Sequence, residues 1–290
     1  MIVIDGKKVS SQIVEKLKQE INLFKTKNIV LRLVIIQIGS NPASNIYIRN
    51  KIKLGEQLGI IIELKQLSED TTNEVLLEVI TQLNLDAAVN GILVQMPLPS
   101  HINETKIIAH IAPNKDVDCF HLENIGKLWT ARKTEVLLKP CTPAGIIELL
   151  KYYHIRIAGQ KAVVVGRSNI VGKPIASLLL LEDATVTLCH SKTQNLWEIC
   201  QEADILVCAI GQAKIIDASY IKQNATVIDV GMNHDETGRL CGDVDYESVS
   251  KVAGYLTPVP GGVGPMTVTM LMKNLVELAK LQHNDIVGIK

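Results

Sequence analysis

Two polar residues in the segment "NIYIRNKIK" are spaced so that a helix would place them on one face. Tyr47 and Lys51 lie four residues apart, which is about one helical turn. Such a pair can set an aromatic ring and an amine against the same ligand. A lysine partly removed from water can also lose its proton and serve as an acid–base group. Surface decoration is the commoner role of a Tyr and a Lys on a helix, so the spacing leaves both roles open.

Further polar residues follow a predicted strand and occupy a predicted loop. Gln95 ends the apolar run of "GILVQMPLP", just before a loop punctuated by prolines. In open α/β sheets, ligands bind beyond the carboxyl ends of the strands. In "PNKDVDCFH", Asp116 and Asp118 bracket Val117 in a loop, and loops carry function more often than cores do. Turn capping by Gln95 and turn formation by the two aspartates are the alternative roles.

A glycine turn after a short strand predicts a phosphate site. In "VVVGRSNIVGKPIA", an apolar strand at residues 162–165 runs into Gly166, and a helix begins near residues 171–172. Such a turn directs backbone N–H groups and a helix N-terminus at a phosphate. The match to the dinucleotide fingerprint is imperfect, because Ser168 replaces the second glycine and Gly172 comes one residue late. An ordinary strand–turn–helix of an α/β core is the alternative.

The next predicted strand, "TVTLCH", indicates which dinucleotide binds. It runs into "HSK", where an NAD site usually offers an acidic residue to the ribose. Arg167 in the turn and Ser191 after the strand can both bind a 2′-phosphate, which a carboxylate would repel. Lys192 alone is more simply a solvated surface lysine. These residues predict NADP as the cofactor.

The elements that must position these residues form two series. Apolar β-rich runs alternate with amphipathic runs over residues 30–99 and again over residues 161–232, which predicts an α/β protein of two domains with mostly parallel sheets, the second of Rossmann type. Between them "PCTPAGIIELLKYYH" predicts a helix, with Thr142 as a candidate N-cap and Pro143 at the first helical position. A tail helix at residues 266–282 is expected to pack back on the first domain. The predicted domains are residues 1–138 plus 268–290 and residues 139–267.

Composition excludes several classes of protein. The chain has 290 residues, of which 47% are hydrophobic, and 30 basic residues balance 30 acidic ones. It therefore lacks the basic field of a non-specific nucleic-acid binder. No apolar run reaches the roughly 18 residues of a membrane span, and no signal-peptide core is recognisable. The six cysteines show no C-x-x-C pair or zinc-finger spacing. We expect a cytoplasmic protein with no metal, nucleic-acid or membrane partner.

Seven motifs occur in a particular order over roughly residues 47–267: "YIRNK", "VQMPLP", "KDVDCFH", "PCTPAGI", "GRSNIVGKP", "HSKT" and "PVPGGVGPMT". In this order they closely resemble the bifunctional methylenetetrahydrofolate dehydrogenase/cyclohydrolase family. The resemblance implies two α/β domains with a folate cleft between them, usually in a homodimer. It also implies NADP-dependent oxidation of 5,10-methylenetetrahydrofolate to the methenyl cation, followed by hydrolysis to 10-formyltetrahydrofolate.

The resemblance implies a role for each matching residue. Lys51 takes the position of the catalytic lysine, Tyr47 stacks near the pterin, and Gln95 hydrogen-bonds the lysine. Asp118 binds the amino and ring N–H groups of the pterin. Similar proteins usually have glycine where Cys119 follows, so a positive φ there would cost strain. The cofactor positions are Gly166, Arg167, Ser168, Ser191 and Met232, and the remaining substrate positions are Pro260, Gly261 and Gly262.

The motif that holds these last three residues has two interpretations. Small residues let backbone approach a flat ligand closely, whereas a plain connector between domains would have a similar composition.

Two other functions fit the two-domain layout. The chain could be a nucleotide-binding module without catalysis, which the presence of Tyr47, Lys51, Gln95 and Asp118 disfavours. It could also be an NADP-dependent dehydrogenase of another small molecule, such as a shikimate-type dehydrogenase. An absorbance assay for methenyltetrahydrofolate formation, run with NADP and with NAD, distinguishes the three.

Overall fold

The fold is taken from a computed structural model that describes residues 1–130, 132 and 137–283, without the side chains of Pro42 and Ala43. The chain divides into two compact units. The three-stranded unit comprises Ile13–Lys127, Leu137–Lys139 and Val268–Lys290, and the six-stranded unit comprises Met1–Gln12, Leu128–Val136 and Pro140–Thr267. The predicted boundaries differ from this division in two places, because Met1–Gln12 and Leu128–Val136 lie in the six-stranded unit.

Strands and helices alternate through the N-terminal half, as predicted. In chain order they are β1 (Ile2–Val3), α1 (Gly6–Thr26), β2 (Arg32–Ile38), α2 (Pro42–Leu58), β3 (Ile61–Leu67), α3 (Asn73–Leu85), β4 (Gly91–Val94), α4 (Glu104–Ile108) and α5 (Leu122–Thr130).

The C-terminal half continues the alternation and ends in a long helix. Its elements are α6 (Cys141–Tyr152), β5 (Lys161–Val165), α7 (Gly172–Leu181), β6 (Thr185–Cys189), α8 (Leu196–Gln201), β7 (Ile205–Cys208), a 3-10 turn (Ala218–Tyr220), β8 (Thr226–Asp229), β9 (Asn233–His234), β10 (Leu240–Cys241), α9 (Tyr246–Val249), β11 (Tyr255–Leu256) and α10 (Val263–Gln282).

The three-stranded unit has a parallel sheet in the order β3-β2-β4. The central strand β2 is apolar almost throughout, because both of its faces are buried, as is usual for a parallel strand covered by helices. Strand β3 is only partly buried. Gly55 of α2 lets that helix approach β3 closely, because a Cβ there would overlap the Ile62 side chain.

The six-stranded unit has a parallel sheet in the order β1-β11-β8-β7-β5-β6. The chain starts its α/β series at β5 and goes first to β6 on one side and then to β7 on the other. The order therefore reverses at β5, and dinucleotides bind outside the carboxyl end of a sheet at such a point. A short antiparallel pair, β9 and β10, follows β8.

Helix α6 was predicted correctly, but its predicted N-cap is wrong. The N-cap position is Pro140, and no side chain caps it. Thr142 lies inside the first turn, where its hydroxyl forms a 2.9 Å hydrogen bond with the hydroxyl of Thr267. A partner distant in sequence thus replaces the local backbone partner that a cap would use.

Two further properties bear on the expected class of protein. No described helix combines the length and the apolar character needed to cross a membrane. All six cysteines are buried and free.

Candidate functional site

The side chains of Lys51 and Gln95 are in direct contact within the three-stranded unit. The Lys51 Nζ donates to the Gln95 Oε1 at 2.9 Å. The Gln95 Nε2 in turn donates to the Met96 carbonyl at 2.7 Å, which fixes which end of the amide faces the lysine. Because the backbone N–H of Gln95 donates to the Ile36 carbonyl at 2.8 Å, this amide stands directly at the carboxyl end of the sheet.

Buried polar side chains fix helix α2 to strand β2 and to the loop after β4. Gln37, only 3% exposed, donates to the Asn45 Oδ1 at 2.8 Å. Ser44, 4% exposed, donates to the same Met96 carbonyl that receives the Gln95 amide. The helix that carries Lys51 and the loop that carries Gln95 are therefore linked by hydrogen bonds as well as by the lysine itself.

Tyr47 lies one turn before Lys51 on α2 and is half-buried. Burial raises the pKa of its phenol above the usual value, so the ring stays neutral at physiological pH. A neutral, half-exposed ring suits stacking against a flat ligand.

The two aspartates of "KDVDCFH" have different environments. Asp116 is 2% exposed, and its carboxylate accepts hydrogen bonds from the His121 backbone N–H at 2.8 Å and the Asn124 side chain at 3.0 Å. Burial raises its pKa. Asp116 thus stabilises the turn, which is the structural role that its position in a loop also allowed. Asp118 is half-buried and lines a small pocket together with Met96 and Phe120.

The backbone that carries Asp118 is held on both sides. Residue Asp116 forms a parallel bridge with Ile92 of β4. Asn274 of α10, 3% exposed, donates to the Val117 carbonyl at 2.8 Å and to the Lys139 carbonyl at 2.9 Å. The C-terminal part of α10 thus packs on the three-stranded sheet, and one of its side chains fixes the residue before Asp118.

Cys119 adopts the backbone conformation that the usual glycine would favour. Its φ is 61°, in the left-handed region, and its side chain is fully buried. Burial raises the pKa of the thiol, so it is a neutral, apolar group. A residue with a Cβ is strained in this backbone conformation, and its side chain is buried next to Asp118 in the sequence.

The turn after β5 is as tight as a phosphate-binding turn requires. Gly166 has a φ of 123°, and a Cβ there would overlap the Ala209 carbonyl. A Cβ on Gly172 would overlap the Gly166 carbonyl. The Ser168 hydroxyl accepts hydrogen bonds at 3.2 Å from the N–H groups of Val171 and Gly172, where α7 begins, and a hydroxyl can also donate to a ligand. This explains why serine can replace a glycine of the fingerprint.

Arg167 and Ser191 follow neighbouring strands. Val165 and Cys189, the last residues of β5 and β6, are register partners, and each of the two polar residues comes two positions later. Both are exposed. The structure thus brings the turn that carries Arg167 and the loop at residues 190–193, called the serine loop below, to the same edge of one sheet.

The serine loop is closed by its own hydrogen bonds. The His190 N–H donates to the Thr193 hydroxyl at 2.8 Å, and the Thr193 N–H donates back to the His190 carbonyl at 2.8 Å. Lys192 is exposed, in keeping with a solvated lysine.

The remaining predicted ligand residues lie in two loops of the six-stranded unit. Met232 follows β8 and is 45% exposed. Pro260 is exposed and Gly261 has a φ of 109°, whereas Gly262 is buried. A Cβ on Gly262 would approach the Pro258 carbonyl within 2.6 Å, so internal packing already requires that glycine.

Several residues that shape these loops were not singled out from the sequence. Asp229, Asp243 and Asn274 are buried polar residues whose partners are mostly backbone groups far away in the chain. The only local signal is a charged or amide residue inside an otherwise apolar run, as in "TVIDVG" and "MLMKNLVEL".

The family model of the tetrahydrofolate dehydrogenase/cyclohydrolase catalytic domain matches residues 4–118, and that of the family's NAD(P)-binding domain matches residues 140–283. The chain belongs to the tetrahydrofolate dehydrogenase/cyclohydrolase family. The relatives include the bifunctional protein FolD of Acetivibrio thermocellus, which is 53% identical over 280 residues, 97% of each chain.

Solved structures agree with this membership. The bifunctional FolD enzyme of Campylobacter jejuni superposes with a TM-score of 0.94 at 44% identity, covering 97% of this chain and 99% of its own. The methylenetetrahydrofolate dehydrogenase-cyclohydrolase of Trypanosoma brucei, solved with NADP and an inhibitor, gives a TM-score of 0.92 at 38% identity, covering 97% and 98%.

A shikimate 5-dehydrogenase of Thermus thermophilus shares only the fold, with a TM-score of 0.52 at 17% identity. The family and its two-domain architecture are therefore those predicted, and the alternative of a shikimate-type enzyme is not supported.

The strain at Cys119 predicts an unusual order of stability. Cys119→Gly and Cys119→Ala both remove the sulfur, but only glycine also removes the Cβ. The left-handed conformation costs a residue with a Cβ about 1–2 kcal/mol, and the greater freedom of glycine when unfolded returns about 0.4–1 kcal/mol of that difference. We expect the glycine variant to exceed the alanine variant in free energy of unfolding by about 0.5–1 kcal/mol, measured by urea denaturation. A more stable alanine variant would contradict a strained backbone.

Proposed function

We infer that the chain oxidises 5,10-methylenetetrahydrofolate with NADP to 5,10-methenyltetrahydrofolate and then hydrolyses this product to 10-formyltetrahydrofolate. The observation that carries the inference is the 2.9 Å hydrogen bond between Lys51 and Gln95. This bond orients the Lys51 amine, which is the proton-transfer group that the second reaction needs. The family to which the chain belongs is named for both activities.

The oxidation asks the protein mainly for alignment. A hydride leaves the methylene carbon with its electron pair and reduces the nicotinamide, and the folate becomes the methenyl cation. Neither a proton donor nor a proton acceptor is needed, so binding and orientation supply the catalysis. Tyr47, with its neutral and half-buried ring, stacks beside the pterin and restricts its position.

The hydrolysis requires proton transfers. Water adds to the methenyl carbon and loses a proton, and the ring C–N bond then breaks as its nitrogen gains one. Lys51 is the acid–base group in these steps. Gln95 accepts from the ammonium through its Oε1 and thereby orients Nζ without adding a negative charge that would hold the proton on the lysine.

Asp118 recognises the pterin. A carboxylate accepts two hydrogen bonds side by side, which matches an amino group next to a ring N–H. The half-buried position beside Met96 and Phe120 reduces competition from water. Asp116 and Asn274 do not touch the substrate in this proposal, since their polar atoms bond the loop itself.

NADP binds at the carboxyl end of the six-stranded sheet. Gly166 and Ser168 receive the phosphates at the start of α7. Arg167 and Ser191, at the same sheet edge, bind the 2′-phosphate. Met232 offers a backbone contact from the loop after β8, and Pro260, Gly261 and Gly262 form a substrate loop in which Gly262 also has a packing role.

One surface feature supports a proposed assembly, and one feature of the core supports a proposed location. Strand β3 is an edge of its sheet among the described strands, and it exposes 53% of Ile61 and 38% of Leu64. An exposed apolar edge can pair with a second copy, which supports a homodimer. Six free, buried thiols suit a reducing compartment, which supports the cytoplasm.

Replacing the lysine separates the two activities. Lys51→Met keeps the bulk of the stem and removes the amine, so we expect cyclohydrolase activity to fall by about 10²-fold or more, the usual scale for an acid–base group. The pH profile of hydrolysis should also lose one ionising group. Lys53→Met, on the exposed face of the same helix, is the control and should keep both rate and profile. A folded Lys51→Met enzyme with the original rate and pH profile would assign proton transfer elsewhere.

Replacing the arginine tests cofactor choice. Arg167→Ala removes a charged hydrogen-bond donor from the 2′-phosphate, so the KM for NADP should rise about tenfold or more while the KM for NAD changes little. Lys192→Ala removes a neighbouring cation that the proposal leaves without a contact to the 2′-phosphate, so it is the control and should change neither value much. Equal use of the two cofactors by the unmodified enzyme would contradict the assignment of this edge to a 2′-phosphate.

A further inference from the structure

The loop after β7 and the segment after β8 are held by one buried carboxylate. Asp243 is fully buried. Its Oδ2 accepts from the Ile210 N–H at 2.6 Å, and its Oδ1 accepts from the Gly211 and Gln212 N–H groups at 3.0 Å each. The Asn233 side chain donates to the same Oδ1 at 2.9 Å. One side chain thus satisfies three successive backbone amides of the first loop and connects them to the second.

A second buried carboxylate fixes the backbone of the first. Asp229, the last residue of β8, is 4% exposed and accepts from the N–H groups of Gly231 at 2.9 Å, Asp243 at 2.9 Å and Val244 at 3.0 Å. A Cβ on Gly242 would overlap the Asp229 carboxylate. Burial raises the pKa of Asp229 to about 6. The placement of Asp243 is therefore determined by β8 itself.

These loops lie beside the phosphate turn, on the side away from the serine loop. Strands β7 and β5 are neighbours with Cys208 level with Val165, so the loop after β7 starts at the same sheet edge as Gly166. Indeed a Cβ on Gly166 would overlap the Ala209 carbonyl. Because Ser191 follows β6, which lies on the opposite side of β5, the loops after β7 and β8 lie where the other half of a dinucleotide binds.

We propose that Asp243 is a positioning residue that holds residues 210–212 and 231–233 in the conformation that receives the nicotinamide half of NADP. The proposal rests on the proposed function. Asp243 does not touch the cofactor. It acts through backbone amides, since an ionised carboxylate accepts at both oxygens, whereas an asparagine would turn an NH₂ group toward N–H donors. Met232, exposed in the second of these segments, is carried by the same arrangement.

The test compares Asp243→Asn with Asp245→Asn, a control two residues along the chain whose side chain makes no capping hydrogen bond. Calorimetry measures binding of NADP and of 2′,5′-ADP, which contains only the phosphorylated adenosine end. Assays measure the dehydrogenase and cyclohydrolase rates separately. For Asp243→Asn we expect the Kd for NADP to rise about tenfold and the dehydrogenase kcat to fall, with 2′,5′-ADP binding and NADP-independent hydrolysis kept within about twofold.

The outcomes are distinct. Unchanged NADP binding and hydride transfer in folded Asp243→Asn would overturn the proposal, and so would an equal loss of 2′,5′-ADP binding and hydrolysis, which would indicate a general structural role. If Asp243→Asn does not fold, Asn233→Leu removes one donor from the half-buried second segment and should weaken NADP binding without weakening that of 2′,5′-ADP. Failure of the unmodified enzyme to oxidise methylenetetrahydrofolate would refute the proposed function, while the two binding measurements would still decide the role of Asp243.

Discussion

A parallel sheet leaves backbone amides and carbonyls unpaired where its strands end, and the functional loops of this chain depend on how those groups are satisfied. Loops that face a ligand cannot pair their backbone with neighbouring strands. Each buried polar group left unpaired costs about 1–3 kcal/mol. The chain solves this with buried side chains. Asp243 accepts from the loop after β7, Asp116 accepts from the turn beyond Asp118, and Asn274 donates to the carbonyl just before Asp118. The groups proposed to bind ligands can then remain exposed or half-buried while their backbone is fixed.

The same constraint separates positioning from chemistry. Hydride transfer needs the pterin and the nicotinamide to be held in alignment. The sites proposed for these two rings lie on loops whose backbone is fixed by buried side chains. The proposed hydrolysis needs a proton carrier, and the Lys51 amine donates a hydrogen bond to the neutral amide of Gln95. This amide orients the amine without itself adding a negative charge that would hold the proton on the lysine.

The sequence predicted most of the architecture because hydrophobic period and turn residues are local signals. The buried run of β2 and the apolar run before Gly166 each specify a strand without reference to the rest of the chain. Long-range partners are invisible at that level. Thr142 satisfies the local pattern of an N-cap, yet its hydroxyl pairs with Thr267, which is 125 residues away. Strand β1 pairs with β11, so the first residues join the six-stranded sheet, whereas β2, β3 and β4 form the other sheet.

The candidate site shows the same limit. A four-residue spacing can place Tyr47 and Lys51 on one face, but the spacing alone does not reveal that an amide 44 residues later orients the lysine. The most direct measurement is a single progress reaction of the purified chain with 5,10-methylenetetrahydrofolate and NADP, in which NADPH is followed by absorbance and the folate products by mass spectrometry. We predict one NADPH for each 10-formyltetrahydrofolate formed, with methenyltetrahydrofolate as a transient. A bifunctional enzyme would be contradicted if no NADPH formed. It would also be contradicted if NADPH formed while methenyltetrahydrofolate accumulated and was hydrolysed no faster than without the enzyme.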